Sequence, residues 1–417
     1  MRITDLMQPL LERSKMNKHS SVATFALFGG KPVFTETRST SNLYRPNLNR
    51  FLQYTESIFE HRYLTNNGPL VQQLEKRLAE LHGTHFCIAF CSGFMALQLA
   101  MHILALPGKT EIIMPSATYR RMADIAAWAG LTPCFTDVSR ESMGMTGELT
   151  RPHITKRTAL ILGVHPIVNI SAIEELEKLS TETGIPLLID AVEAAYGTLH
   201  GKKIGSFGKA EVFSIHASKF INGFEGGYIT TSDEELAERL RVVRAFGFVQ
   251  KDTIKELGTN AKLNEVHAAM ALACLDEIDQ QIQHNKAIFE AYETGLNYTG
   301  LRLLSYDKTE LRTWKNIVVE LTPQWPCSRE VTLAVLNAEN ILARPYYTPP
   351  LHRKIAYYAA SNSPELSNTD AITAKLMLLP SGAHVSVDDV YEITSCLKKI
   401  SEQHEYISNS YGTKDTK

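Results

Sequence analysis

The chain reads as a doubly wound α/β domain followed by a smaller α+β domain. Two observations carry this reading. Short apolar runs alternate with helical patterns from about residue 85 to 230, and the alternation stops after about residue 265. The length, 417 residues, allows roughly two or three domains at about 100–200 residues each. We therefore divide the chain into an N-terminal extension and arm, 1–50, a large domain, 51–265, and a small C-terminal domain, 266–417.

The strand-like runs are "HFCIAF", "TEIIMP", "TPCFTDV", "TALILGV", "IPLLID", "AEVFSI" and "GGYITT". Each is short, apolar and often β-branched, as strands buried on both faces are. Between them, "SAIEELEKLSTETG" predicts a helix opened by a capping box, Ser171 and Glu174, and stopped at Gly184 before Pro186. "SDEELAERLRVVRAFG" predicts another, opened by Ser232 and Glu235, with Leu236, Leu240 and Val243 at helical spacing. The stretch from Phe86 to Pro107 carries no charge apart from any on His102, and its length is near that of a membrane span. Ser92-Gly93 breaks it, so a buried strand, a tight turn and a buried helix fit better. After residue 265 comes a long helical stretch, "NEVHAAMALACLDEIDQQIQHNKAIFEAYETGL", then strands at "WKNIVVEL" and "NILARPYY" and a late helix near "VDDVYEITSCLKKI".

Composition removes several function classes. Hydrophobic residues are 44% and charged residues 21%, enough for a substantial core, and the formal net charge is −2. No basic stripe points to nucleic acid. The cysteines, Cys87, Cys91, Cys134, Cys274, Cys327 and Cys396, are scattered, with no Cys-x-x-Cys pair and no zinc spacing. Reduced thiols are the natural reading. "MRITDLMQPLLERSKM" lacks the apolar core of a signal peptide. The expectation is a cytoplasmic protein with no membrane partner.

The chemistry centres on "FSIHASKFINGFEGGYITT". Lys219 stands there among Phe213, Ile215, Phe220, Ile221 and Phe224. A lysine snorkelling from an apolar surface would read the same way. Asp190 ends the strand "PLLID"; it would equally serve as the N-cap of "DAVEAAYG". In α/β sheets ligands bind at the carboxyl ends of the strands, and both residues reach that rim. A buried carboxylate and a lysine together suit pyridoxal phosphate. The lysine bonds the aldehyde, and an apolar pocket lowers its pKa so that the neutral amine is available. The aspartate keeps the pyridine nitrogen protonated. "CSGFMALQLAM" supplies strand, Ser92-Gly93 turn and a helix starting near Phe94, whose free N–H groups attract an anion. Ser214 lies on the approach to Lys219 and suits the same phosphate. Tyr119, in "PSATYRR", suits the ring face or an ordinary core position.

With these motifs the chain resembles the DegT–StrS group of fold-type I, pyridoxal-phosphate-dependent sugar aminotransferases. The matching segments run in order: "FGGKPVF", "YLTNNGPLVQQLEKRLAELHG", "CSGFMALQLAM", "IIMPSATYRRMADIAAWAGLTPCFTDV", "LLIDAVEAAYG", "VFSIHASKFINGFEGGYITT", "GTNAKLNEVHAAMAL", "RPYYTPPLH" and "LMLLPSG". Within the group it looks most like the aminotransferases that act on a dTDP-4-keto-6-deoxyglucose in desosamine biosynthesis. The resemblance implies a large α/β/α domain with a mainly parallel mixed sheet. It implies Lys219 as the cofactor-bonded lysine and Asp190 as the pyridine partner. Ser214 and the Ser92-Gly93-Phe94 turn fall at the phosphate, Tyr119 on the ring and Glu193 beside the cofactor's phenolic oxygen. Asn260, in "GTNAK", matches a residue that reaches the phosphate of the neighbouring subunit, which implies a homodimer with shared active sites. The implied substrates are a nucleotide-linked keto sugar, such as a dTDP-sugar, and glutamate or glutamine as amino donor.

Three positions depart from the group's pattern. Phe94 replaces a threonine, Glu193 replaces Gln or His, and "HPIV", His165 to Val168, replaces His-Leu-Tyr/Trp-Gly. A carboxylate at 193 is repulsive there unless it is protonated or paired. Because the departures surround the cofactor, a cyclitol or other non-nucleotide ketone is an alternative substrate. A non-catalytic regulatory paralogue is a further alternative, against which the intact Lys219 and Asp190 argue.

Overall fold

The structure is a computed structural model that describes residues 25–412, except 251, 298, 355–359 and 363. The N-terminal "MRITDLMQPLLERSKM" and the first part of the extension lie outside the described residues.

All seven apolar runs form strands of one sheet: β1 (Phe86–Phe90), β2 (Glu111–Pro115), β3 (Thr132–Thr136), β4 (Thr158–Val164), β5 (Leu187–Asp190), β6 (Ala210–Ser214) and β7 (Gly227–Thr231). Their spatial order is β1-β7-β6-β5-β4-β2-β3. The pairs β6–β5, β5–β4, β4–β2 and β2–β3 are parallel, whereas β7 runs antiparallel to both of its neighbours. The run from Phe86 to Pro107 resolves as strand, turn and helix, and among the described residues no helix is long and apolar enough to cross a membrane. Apolar clusters fill the space on the two faces of this sheet, one around Leu74, Leu78, Ile189 and Phe213, the other around Leu97, Met101, Ile112 and Val212.

Helices α1 (Leu48–His61), α2 (Pro69–His82), α3 (Gly93–Leu104), α4 (Met122–Trp128), α5 (Ile173–Thr183) and α6 (Glu234–Arg244) surround the sheet. Two of the expected caps fall one residue away. The Ser171 hydroxyl is taken by His165 Nδ1 at 3.1 Å, so α5 starts at Ile173 with Ala172 as an uncapped N-cap. Ser232 bonds Thr84, and Asp233 caps Leu236 N instead, at 3.0 Å. Such a cap contributes about 1 kcal/mol, so an equivalent acceptor one position away serves equally well.

The long helical stretch is two helices, α7 (Glu265–Asp276) and α8 (Ile278–Gly295). Glu277 interrupts them with φ −118° and ψ 21°. Its carboxylate is drawn to Tyr44 Oη at 2.6 Å and Asn47 N at 3.1 Å. A second, antiparallel sheet follows, in order β8 (Leu301–Leu303), β9 (Ile317–Leu321), β11 (Leu376–Leu379), β10 (Arg344–Pro345). "NILARPYY" is therefore not one strand. Ile341–Leu342 pairs with Arg38–Ser39, and only Arg344–Pro345 joins the second sheet. Pro345 has no N–H to donate and is confined to the sheet's edge. A core around Phe289, Tyr292, Trp314, Val318 and Leu397 lies under this sheet, and Phe25 and Phe34 of the extension pack into it.

Candidate active site

The site forms where β5 and β6 end. Asp190, the last residue of β5, is buried, and its Oδ1 accepts a hydrogen bond from Val192 N at 3.1 Å. Among the described residues that N–H is its hydrogen-bond donor. Burial pushes its pKa up to about 6, against the opposing pull of the Val192 N–H and of Lys219. The turn Val192–Ala194 then aims Glu193 at the rim.

Lys219 lies in the irregular loop between β6 and β7. Phe213, Ile215, Phe220 and Ile221 are core residues, while Phe224 is exposed. The extension fixes this loop: Asn42 N donates to Ser218 O, and Asn42 Nδ2 donates to Lys219 O at 3.1 Å and Phe220 O at 3.2 Å. Lys219 Nζ bonds Glu193 Oε1 at 2.5 Å. The expected lowering of the Lys219 pKa is reversed in this structure. Burial does push it down, but the carboxylates of Glu193 and Asp190 outweigh burial and raise it. Glu193 moves the other way: burial pushes it up, and Lys219, Lys315 and Asn316 hold it well below the carboxylate range. The carboxylate at 193 is therefore paired.

Its second oxygen is held from the C-terminal sheet. Asn316 Nδ2 donates to Glu193 Oε2 at 3.0 Å, and Lys315 Nζ lies 3.7 Å from it, with only 7% of its side chain exposed. Sequence reasoning missed Lys315 and Asn316. The available signal was a lysine and an asparagine opening the apolar run "WKNIVVEL". A cavity of about 560 Å³ opens over these groups. Its walls include Tyr119 and Thr118 from the turn after β2, Thr40 and Ser41 from the extension, and Tyr347 from the C-terminal part. Among the described residues Arg120, Lys219, Lys315 and Arg344 line it against one carboxylate, Glu193, so a protein of net charge −2 concentrates positive charge here. Tyr119 is 46% exposed on this wall and is not a core tyrosine. The Thr118 hydroxyl is buried without a hydrogen-bond partner among the described residues.

The turn before α3 comes to the same rim. Ser92 caps α3 through Met95 N at 3.1 Å. A Cβ on Gly227 would come within 2.5 Å of Gly93, and a Cβ on Gly93 within 3.0 Å of the Ser214 Cβ. Only glycines allow this approach, which sets the Ser214 hydroxyl beside the first turn of α3. The first N–H groups of a helix have no intrahelical acceptor, so the turn is a cradle for an anion. Phe94 is half-buried and packs against the sheet cluster, in keeping with an apolar role at that position. His165 is buried behind the site, its N–H donating to Asp190 O, and burial lowers its pKa to about 3.

Asn260 does not join this cluster. It is exposed, bridges to Ala245, and accepts from Lys262 Nζ at 2.7 Å. Phe246, Phe248, Val249, Ile254 and Leu257 stand exposed around it in the chain. A buried acid with a raised pKa, a lysine above it and an anion cradle on the same rim fit pyridoxal phosphate. Among the described residues no group of His, Cys, Asp and Glu has the arrangement of a metal site.

Comparison with known proteins agrees. The sequence profile of the DegT/DnrJ/EryC1/StrS aminotransferase family matches residues 47–398. The dTDP-4-amino-4,6-dideoxy-D-glucose transaminase of Shigella dysenteriae is 27% identical over 371 residues, covering 89% of this chain and 99% of the relative. The dTDP-3-amino-3,4,6-trideoxy-alpha-D-glucose transaminase of Streptomyces venezuelae is 29% identical, covering 82% of this chain and 89% of the relative. The crystal structure of DesI in the presence of its TDP-sugar product superposes with a TM-score of 0.87 at 30% identity, covering 94% of this chain and 99% of that one.

Proposed function

Because the chain belongs to the DegT/DnrJ/EryC1/StrS aminotransferase family, and so is a pyridoxal-phosphate-dependent aminotransferase, we propose that it aminates a nucleotide-linked 4-keto-6-deoxy sugar, with glutamate or glutamine as donor. The observation that carries this reading is the cavity over Lys219, about 560 Å³, whose wall sets Arg120, Lys315 and Arg344 around a single carboxylate. Such a wall suits an anionic substrate. The names of the relatives from S. dysenteriae and S. venezuelae point to dTDP-linked sugars.

In this reading Ser92, Gly93, Phe94 and Ser214 would hold the phosphate, Tyr119 would lie against the ring, and Asp190 would serve the pyridine nitrogen. Pyridoxal phosphate supplies an aldehyde that takes up amino groups and a ring that stores the electron pair of a deprotonated carbon. Lys219 would carry the cofactor, and its Nζ would be the group that holds the proton taken from the substrate carbon. Glu193 directs that amine, since its Oε1 lies 2.5 Å from Nζ. Asn42 holds the loop so that the amine returns to one place.

We take the assembly to be a homodimer in which Asn260 reaches the partner's phosphate; its exposure and its exposed apolar neighbours support this. We keep the three-part division of the chain but set the second boundary at Glu277. The packing of Leu272 and Leu275 in the large-sheet core, and of Ile288 and Phe289 in the C-terminal core, supports that position.

The test is a mass-spectrometric screen of keto substrates against the pyridoxamine form of the enzyme. Amination of nucleotide-linked 4-keto-6-deoxy sugars is the expected result. Amination of a cyclitol ketone alone would replace the substrate assignment and leave the enzyme class intact.

A further inference from the structure

Among the described residues Glu193 is the one carboxylate on the wall of the cavity, and two lysines divide it between them. Its Oε1 takes Lys219 from the loop after β6, and its Oε2 faces Lys315 from the start of the C-terminal sheet. The two lysines differ in surroundings. Lys219 opens onto the cavity with 26% of its side chain exposed, whereas Lys315 is almost fully buried. Lys315 Nζ also donates to Asn316 Oδ1 at 3.1 Å, and Asn316 Nδ2 donates to both Glu193 Oε2 and Ile167 O. The second oxygen of Glu193 is thus clamped from the segment that leads into β9, while the first depends on a lysine whose charge must change during the reaction.

We propose that Lys315 is a positioning residue that keeps Glu193 ionised and directed at the cavity during the part of the cycle in which Lys219 is neutral. A nucleophilic or proton-accepting amine must be neutral, and with Lys219 neutral Glu193 would face mostly uncharged donors. A buried carboxylate in that position takes up a proton. Lys315 prevents this. The sign of the coupling favours it as well. Burial lowers the Lys315 pKa and the charge on Lys219 lowers it further, while Glu193 raises it. Loss of the Lys219 charge therefore strengthens the charge on Lys315 when Glu193 needs it. The other titratable groups facing Glu193 are Asp190 at the end of β5 and Tyr306, Tyr346 and Tyr347 from the C-terminal part, with Arg312 lining the recess behind it. The tyrosines are pushed up by burial and stay neutral, and Asp190 adds negative charge. Arg120, Arg344 and Tyr119 also line the cavity, but among the described residues the cations within 4 Å of the Glu193 carboxylate are Lys219 and Lys315; with Lys219 neutral, Lys315 is the cation that stays paired with it.

The proposal rests on Lys219 as the cofactor-carrying residue. Failure of that reading shows separately, as cofactor recovered on another lysine. The experiment is a pH titration of the visible absorbance of the holoenzyme, which reads the cofactor's surroundings without turnover. Lys315→Met is expected to move the acid-side spectral transition up by about one pH unit or more. Lys315→Arg should titrate as wild type. Glu193→Gln should lack the transition, and Lys315→Met/Glu193→Gln should overlay Glu193→Gln. A Lys315→Met enzyme that titrates as wild type overturns the proposal, as does a Lys315→Met effect that persists in the Glu193→Gln background. Difference infrared between wild-type and Glu193→Gln holoenzymes needs no Lys315 variant. It should show an ionised carboxylate at neutral pH, and the C=O stretch of a protonated acid there would contradict the proposal.

Discussion

Strand β6 carries a buried glutamate at one end and leads to the reactive lysine at the other, and the two ends treat charge in opposite ways. Glu211, near the start of β6, accepts from Gly205 N and Phe207 N, both at 2.7 Å, and its Oε2 has no partner among the described residues. Burial pushes its pKa up to about 8 despite those two N–H groups. Glu193, at the rim beyond the other end, is only partly exposed, with 15% of its side chain open, yet it is held ionised by Lys219 and Lys315. The difference teaches that burial alone does not make a site. The rim became chemical because cations were placed against its acids, and they were placed at the carboxyl ends of the strands, where the sheet leaves room for a ligand.

The comparison breaks most sharply at Lys219. Lys219→Ala should lower transamination by about four orders of magnitude or more, with the fold retained because Glu193 keeps Lys315. Steady-state rates and the loss of the visible cofactor band check this. A variant with more than a few per cent of wild-type turnover would remove Lys219 from the chemistry. Asp190→Asn keeps the shape but would remove the charge proposed to serve the pyridine nitrogen. Turnover should fall by about 10²–10³-fold, and near-normal turnover would assign the task to another group.

Asn260 asks whether the rim is complete in one chain. In the proposed dimer Asn260→Asp would place a negative charge near the partner's phosphate, and Lys219→Ala would disable its own site. In a co-expressed heterodimer one site carries both lesions and the other none, so up to half of the wild-type activity per dimer should return. Heterodimers that stay dead, with Asn260→Asp alone also dead, would place Asn260 in its own subunit's site.

The smallest effect on turnover is expected at the opposite end of β6. The folded pKa of Glu211, about 8, lies above that of an ordinary carboxylate, so the fold binds a proton that the unfolded chain releases. Its contribution to stability is present below the unfolded pKa and is lost as pH rises to about 8. Glu211→Gln should flatten the fall in Tm over that window and leave kcat unchanged. Calorimetry from acid to mildly alkaline pH checks the first part; an unaltered slope would mean that Glu211 is already ionised in the fold.

The sequence made the large sheet legible because each strand is a short apolar run bounded by turn residues. Lys219, Asp190 and the Ser92-Gly93 turn were legible for a related reason: each lies at or shortly after the carboxyl end of such a strand, so its place on the rim came with the strand. What was not legible reaches the rim from far along the chain. Asn42 arrives from the extension and holds Lys219 O, and Lys315 and Asn316 arrive from the second sheet to hold Glu193. No local pattern announces such pairings. The wrong sign for the Lys219 pKa has the same origin, since its apolar neighbours are contiguous in sequence and its carboxylate partner is not. The two misplaced caps were local errors, made where a nearby acceptor competed for the serine or replaced it.

The central claim is that Lys219, of the two lysines around Glu193, is the one that carries the cofactor. Borohydride reduction of the holoenzyme followed by peptide mapping tests it directly. The account predicts the reduced cofactor on the peptide containing Lys219, with Lys315 unmodified. Cofactor on Lys315, or on any other lysine, would contradict it.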